Sequence, residues 1–102
     1  MITVKQHDVF RKWLKALKDQ KAKSSILSRV KRLEFGLFGD VKPVGGGLSE
    51  LRVDTGKGYR VYFVRQGSEL IIVFCGSQKK DQQKQIDLAK ALYKDWRANN
   101  GR

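Results

Sequence analysis

Arg52 and Arg60 are the side chains in this 102-residue chain whose type and spacing best suit chemistry. In Ser49-Glu50-Leu51-Arg52-Val53-Asp54 the polarity alternates: Leu51 and Val53 face one way, and Glu50, Arg52 and Asp54 face the other. Tyr59 to Arg65 reads as the next strand, with Thr55-Gly56-Lys57-Gly58 as the turn between them. Centring that turn on Gly56 sets Arg52 opposite Arg60, Leu51 opposite Val61 and Val53 opposite Tyr59. All apolar partners then share one face, and the two arginines lie side by side on the other. A slip of one residue would bury arginine and expose leucine, so the pattern itself favours this register. The next turn, Gln66-Gly67-Ser68-Glu69, suits a two-residue hairpin loop at Gly67-Ser68. That loop would put Arg60 opposite Cys75 and Tyr62 opposite Val73. Arg52, Arg60, Tyr62 and Cys75 would share one patch of sheet, with Lys79 and Lys80 leaving the last strand beside it.

Adjacent like charges destabilise a sheet unless they are offset or used. One reading is structural: Glu50 and Asp54 offset the arginines as cross-strand ion pairs. The other is a phosphate clamp, because the planar arginine fork matches phosphate oxygens bidentately. The surrounding turns are also basic (Lys57, Lys79, Lys80), which suits the clamp. Cys75 reads as a small apolar residue of a strand, or as a thiol whose pKa Arg60 lowers. His7, the only histidine, reads as a helix cap or a surface residue. The Gly45-Gly46-Gly47 run has neither the Lys-Ser/Thr ending nor the following helix of a phosphate loop. No His, Cys and Asp set has metal-ligand spacing, so neither a metal nor another cofactor is expected.

The elements that must position these residues follow from periodicity. Ile2 to Val4 reads as a short first strand, and His7-Asp8 as the cap of a helix carrying Val9, Phe10, Trp13, Leu14 and Leu17. After Lys18-Asp19-Gln20 a second helix aligns Ala22, Ile26, Val30, Leu33 and Leu37, and Gly36 and Gly39 end it. Its other face is Lys21, Lys23, Ser24, Ser28, Lys31 and Arg32. Asp40 to Gly47, with the only proline, reads as a loop. Leu70 to Cys75 is apolar at every position, the mark of a strand covered on both faces. Asp81 can cap a last helix with Ile86, Ala89, Tyr93 and Trp96 on one stripe and Asn99-Asn100-Gly101 as its stop. The expected architecture is one α+β domain spanning residues 1–102: strand, helical hairpin, three-stranded antiparallel meander, helix.

Composition bounds the function. Twenty-two Lys and Arg against ten Asp and Glu leave a net charge of +12, and each half of the chain holds 11 basic and 5 acidic residues. A charge spread so evenly through the fold predicts a polyanionic partner, nucleic acid first, with an acidic protein also suitable. One cysteine excludes an intramolecular disulfide framework. The longest apolar run is too short to span a bilayer, and the first residues lack a signal peptide's apolar core. A soluble cytoplasmic protein without membrane association is expected.

Gly47-Leu48-Ser49-Glu50-Leu51-Arg52-Val53-Asp54, followed by Gly58-Tyr59-Arg60-Val61-Tyr62-Phe63, is similar to the RelE/ParE superfamily of bacterial toxins. So is Phe74-Cys75-Gly76-Ser77-Gln78-Lys79-Lys80 leading into a charged helix. With Gly39-Asp40-Val41-Lys42-Pro43-Val44 upstream, the chain resembles the HigB-like branch, the addiction module killer proteins, over almost its whole length. The resemblance implies a RelE-like fold. It also implies a ribosome-dependent endoribonuclease, a toxin that cleaves messenger RNA and so inhibits translation. Its implied partners are the ribosome, messenger RNA and a silencing antitoxin, usually a small helix-turn-helix protein encoded beside it. The implied catalytic residues are Arg60, Arg52, Lys79 and Lys80, with Lys57, Tyr62 and Asp54 toward the RNA. Arg60 and Lys79 suit the developing charge, and Asp54 and Lys80 are the candidates for proton transfer. Two other readings stand beside this one: a ParE-like gyrase-inhibiting toxin, and a nucleic-acid-binding domain whose arginines only grip phosphate.

Overall fold

The computed structural model describes residues 1–99. Its elements run β1 (Thr3–Gln6), α1 (Asp8–Ala16), α2 (Gln20–Arg32), β2 (Val41–Gly45), β3 (Leu48–Val53), β4 (Tyr59–Gln66), β5 (Leu70–Gln78) and α3 (Gln82–Asn99). The fold is α+β, and its five strands form one mixed sheet in the order β1-β5-β4-β3-β2. The first strand runs parallel to β5, and every other pairing is antiparallel.

Local chemistry explains where the helices start and stop. His7 caps α1 by accepting the Val9 N–H on its Nδ1 at 3.1 Å, the cap expected of it. Asp19 caps α2 by accepting the Ala22 N–H at 3.1 Å. The second helix ends at Arg32 in a short 3-10 turn (Leu33–Phe35), with Gly36 left-handed at φ +73°. Leu37, expected on the α2 stripe, therefore lies beyond the helix and is 59% exposed.

The sheet separates two apolar cores. Phe10 and Leu14 of α1 and Ala22, Ile26 and Val30 of α2 pack on Leu51, Val53, Val61, Phe63, Ile71 and Val73. On the opposite face, Ile86 and Ala89 of α3 pack on Leu48, Tyr62, Val64, Ile72, Phe74 and Cys75. The unbroken apolar run of β5 is thus covered on both sides, as its composition requires.

Two expectations are corrected here. Residues 40–47 are not a loop: Val41–Gly45 is an edge strand paired with β3. Pro43 is tolerated there because an edge strand has one side without a ladder partner. Gly46 and Gly47 form the tight turn at φ +64° and +84°, left-handed values that favour glycine. The second correction concerns register. The β4–β5 loop has three residues, with Gln66 opposite Leu70, and a bulge at Phe74 shifts the pairing again. Arg60 therefore lies opposite Ser77 and Tyr62 opposite Cys75, in place of Cys75 and Val73.

Gly76 marks a close approach of backbone and ring. A Cβ there would overlap the six-membered ring of Trp13. Gly76→Ala is expected to destabilise the fold by about 1–3 kcal/mol, the range for overpacking a filled site. Urea titration should show the loss largely relieved in a Trp13→Ala background. An equal loss in both backgrounds would remove Trp13 as the cause.

Candidate active site

Strand alternation and the β3–β4 register bring the two arginines together as expected: Arg52 pairs with Arg60, Leu51 with Val61 and Val53 with Tyr59. Glu50, Arg52, Arg60 and Tyr62 point to the α3 side of the sheet. The helix α3 covers much of this face, as the doubly apolar β5 run requires, but the pattern of residues did not announce that it reaches Glu50.

Glu50 is the hub of the arrangement. It is fully buried, and its Oε1 accepts a hydrogen bond from Arg52 Nε at 3.3 Å. Arg60 Nε lies 3.8 Å from the same oxygen, an ion pair without a hydrogen bond. The other oxygen, Oε2, accepts from Gln82 Nε2 of α3 at 2.5 Å. A buried carboxylate holding two cations from neighbouring strands removes the like-charge penalty of the Arg52–Arg60 pair. The ion-pair reading thus holds for Glu50.

Arg60 is not solvent-facing: its side chain is 11% exposed, and its buried Nε has no hydrogen-bond partner among the described residues. Arg52 is 32% exposed. Glu50 thus holds Arg52 by a hydrogen bond to Nε and faces Arg60 Nε as an ion pair alone. The terminal nitrogens of both arginines make no hydrogen bond among the described residues, so the forked ends stay available to an anion.

The same end of the sheet carries the lysines. Lys57 is exposed in the β3–β4 turn, and Lys79 and Lys80 are exposed in a 3-10 turn after β5. A capping box holds that turn in place, with the Gln78 N–H donating to Asp81 Oδ1 at 2.8 Å. Asp81 thus acts one turn ahead of α3, which begins at Gln82. Of the expected helix stop Asn99-Asn100-Gly101, Asn99 is the last residue of α3, and Asn100 and Gly101 lie outside the described residues.

Tyr62 shares the arginine face but is buried in it, and Asp54 sits elsewhere. Tyr62 is fully buried, its hydroxyl 2.9 Å from Ser77 Oγ. Burial pushes its phenol well above the usual range, against the opposing pull of the Ser77 hydrogen bond, and Glu50 adds to the rise. Tyr62 braces the floor beneath the arginines. Asp54 follows the last residue of β3 and lines a cleft with Arg29 and Arg32 of α2, on the other side of the sheet from Arg60. Its expected place on the arginine face fails because strand alternation ends at Val53.

Cys75 is buried on the α3 side, its Sγ donating to the Gln85 carbonyl at 3.4 Å. Burial, with a smaller contribution from Asp81, pushes the thiol up to about 12, so Arg60 does not lower it. Folded Cys75 thus holds its proton more tightly than the unfolded chain, whose value is 9.0. The stability this contributes is complete below about pH 9 and is lost as pH rises toward 12. Cys75→Ala is expected to leave activity within a few-fold and to show a shallower fall in urea midpoint above pH 9. A parallel alkaline fall in both proteins would assign it to other groups.

Ser77 and Gln82 were not legible as site residues. The signal for Ser77 lay in a β5 register that the bulge displaced, and Gln82 is brought to Glu50 only by the docking of α3. Among the described residues, no group of three or more His, Cys, Asp or Glu converges as metal ligands would. Among the described residues, no helix is long and apolar enough to cross a membrane.

Comparison with known proteins adds the lineage. The model of the phage-derived Gp49-like protein family (DUF891) matches residues 12–94, a span that holds Arg52, Arg60, Lys79, Lys80 and Gln82. An uncharacterized protein of Haemophilus influenzae is 48% identical over 91 residues, 89% of this chain and 92% of that relative.

Proposed function

Because the chain belongs to the phage-derived Gp49-like family, we propose that it is the toxin of a toxin–antitoxin module, an endoribonuclease that cuts messenger RNA on the ribosome. One observation carries this reading. Two adjacent arginines turn Nε to one buried carboxylate while their forked ends stay free, and three lysines ring the same end of the sheet.

In the reaction, a ribose 2′-hydroxyl gives up its proton to solvent water as its oxygen attacks the adjacent phosphorus, and the bond to the 5′-oxygen breaks. The products are a 2′,3′-cyclic phosphate and a 5′-hydroxyl. Negative charge builds on the non-bridging oxygens, where the pre-set donors of Arg60 and Arg52 act without reorganising. Lys79 adds charge, and Lys80 gives a proton to the departing 5′-oxygen. Lys57 holds the flanking backbone. An acidic antitoxin, a helix-turn-helix protein encoded alongside, covers this basic end and silences it.

The test is induced expression. Translation should stop with transcripts cut inside translated regions, and co-expression of the neighbouring small reading frame should restore growth. Intact transcripts together with blocked replication and broken DNA would overturn the reading in favour of gyrase inhibition.

A further inference from the structure

Across the sheet from the arginine pair, α2 and the end of β3 enclose an open cleft of about 460 Å³. Ser24, Ser25, Ser28, Arg29 and Arg32 form its α2 wall, and Asp54 and Thr55 face them. Three serines within five helical positions are a local anomaly, since serine is a poorer helix former than alanine. Such departures from local preference collect at functional positions. Their short side chains leave the groove open, and their hydroxyls offer donors along it.

The charge on that wall is not neutralised by an ion pair among the described residues. Arg29 donates to two main-chain carbonyls, Arg52 at 2.8 Å and Phe38 at 3.3 Å. Neither Arg29 nor Arg32 forms an ion pair among the described residues, and Asp54 is the one acid on the wall. The hydrogen bond from Arg29 to Arg52 also makes the cleft and the arginine site two sides of one strand end. The β3–β4 turn, with exposed Lys57, leads from one to the other.

We propose that this cleft is a second subsite that binds the phosphodiester backbone of RNA, extending the substrate interface around the end of the sheet. The inference rests on the endoribonuclease reading and deepens it. Serine hydroxyls and Arg32 hold phosphate oxygens, while Arg29 supplies fixed positive potential from behind. Asp54 opposes binding and keeps the subsite weak, so that release remains fast. The backbone comes either from the strand being cut or from ribosomal RNA.

The experiment measures binding of labelled, uncleavable 2′-O-methyl uridine oligomers, a 4-mer and a 16-mer, across a salt series. The Ser28→Ala/Arg32→Ala double variant should melt no lower than the parent, because alanine favours the helix. It should bind the 16-mer about threefold to tenfold more weakly and the 4-mer unchanged. Its salt slope for the 16-mer should be shallower by about 0.7 for each phosphate it no longer neutralises. Asp54→Asn should move affinity for the 16-mer the other way. A loss seen only in co-sedimentation with ribosomes would assign the subsite to ribosomal RNA. Unchanged 16-mer and ribosome binding in the double variant overturns the subsite. If Arg60→Ala still weakens the 4-mer in that case, the endoribonuclease reading survives. A parent that binds neither oligomer nor ribosomes overturns both.

Discussion

Arg60→Ala is expected to slow transcript cleavage on ribosomes by about 10²–10³, the effect of removing one pre-set donor from a developing oxyanion. It should also lower stability by about 1–3 kcal/mol, which a surface arginine would not do. Solvent exposure would predict a smaller loss, but Arg60 is only 11% exposed and shares Glu50 with Arg52. Its removal leaves a buried carboxylate with one cation fewer, although Arg52 and Gln82 still hold both oxygens. Arg60→Lys keeps the charge and loses the fork, so cleavage should stay impaired while much of the stability returns. Cleavage rates on ribosomes beside urea melts of the same preparations separate the two effects. Wild-type cleavage by a folded Arg60→Ala protein would remove Arg60 from the mechanism.

The largest change in stability should come from Glu50. Glu50→Ala leaves two arginines facing each other on adjacent strands, a vacant buried volume and an unpartnered Gln82 amide. A loss of about 3 kcal/mol is expected, the low end for breaking a buried ion pair, because Arg52 is one-third exposed and can turn to water. Glu50→Gln preserves the shape and should lose less. A double-mutant cycle pairing Glu50→Gln with Arg52→Gln should give a coupling of about 1 kcal/mol. Strict additivity would show that the charges do not sense each other. Because Glu50 aims both arginines, Glu50→Gln should also slow cleavage more than its loss of stability explains.

Much of this molecule is legible in its residues, and the reason is parity. Burial of Leu51, Val53 and Val61 dictates which face each strand turns to the α1–α2 core, so Arg52 and Arg60 had to share the opposite face. The helix stripes, the His7 cap and the doubly covered β5 follow from equally local rules. Position along a strand is less constrained. A loop one residue longer and a one-residue bulge moved Arg60 from Cys75 to Ser77, yet a shift of two leaves the face unchanged. The edge strand Val41–Gly45 was hidden because proline and glycine read as loop residues, although an edge accommodates both.

The sequence by itself thus determined the fold class, the β3–β4 register and the meeting of two arginines on one sheet face, because burying apolar side chains permits no other parity. Only the tertiary structure decided what that face is. Docking of α3 places Gln82 on Glu50, buries Tyr62 and Ser77, and turns an exposed basic patch into a braced pair with its forked ends free. That outcome depends on long-range packing of a helix against a sheet, which no local periodicity encodes.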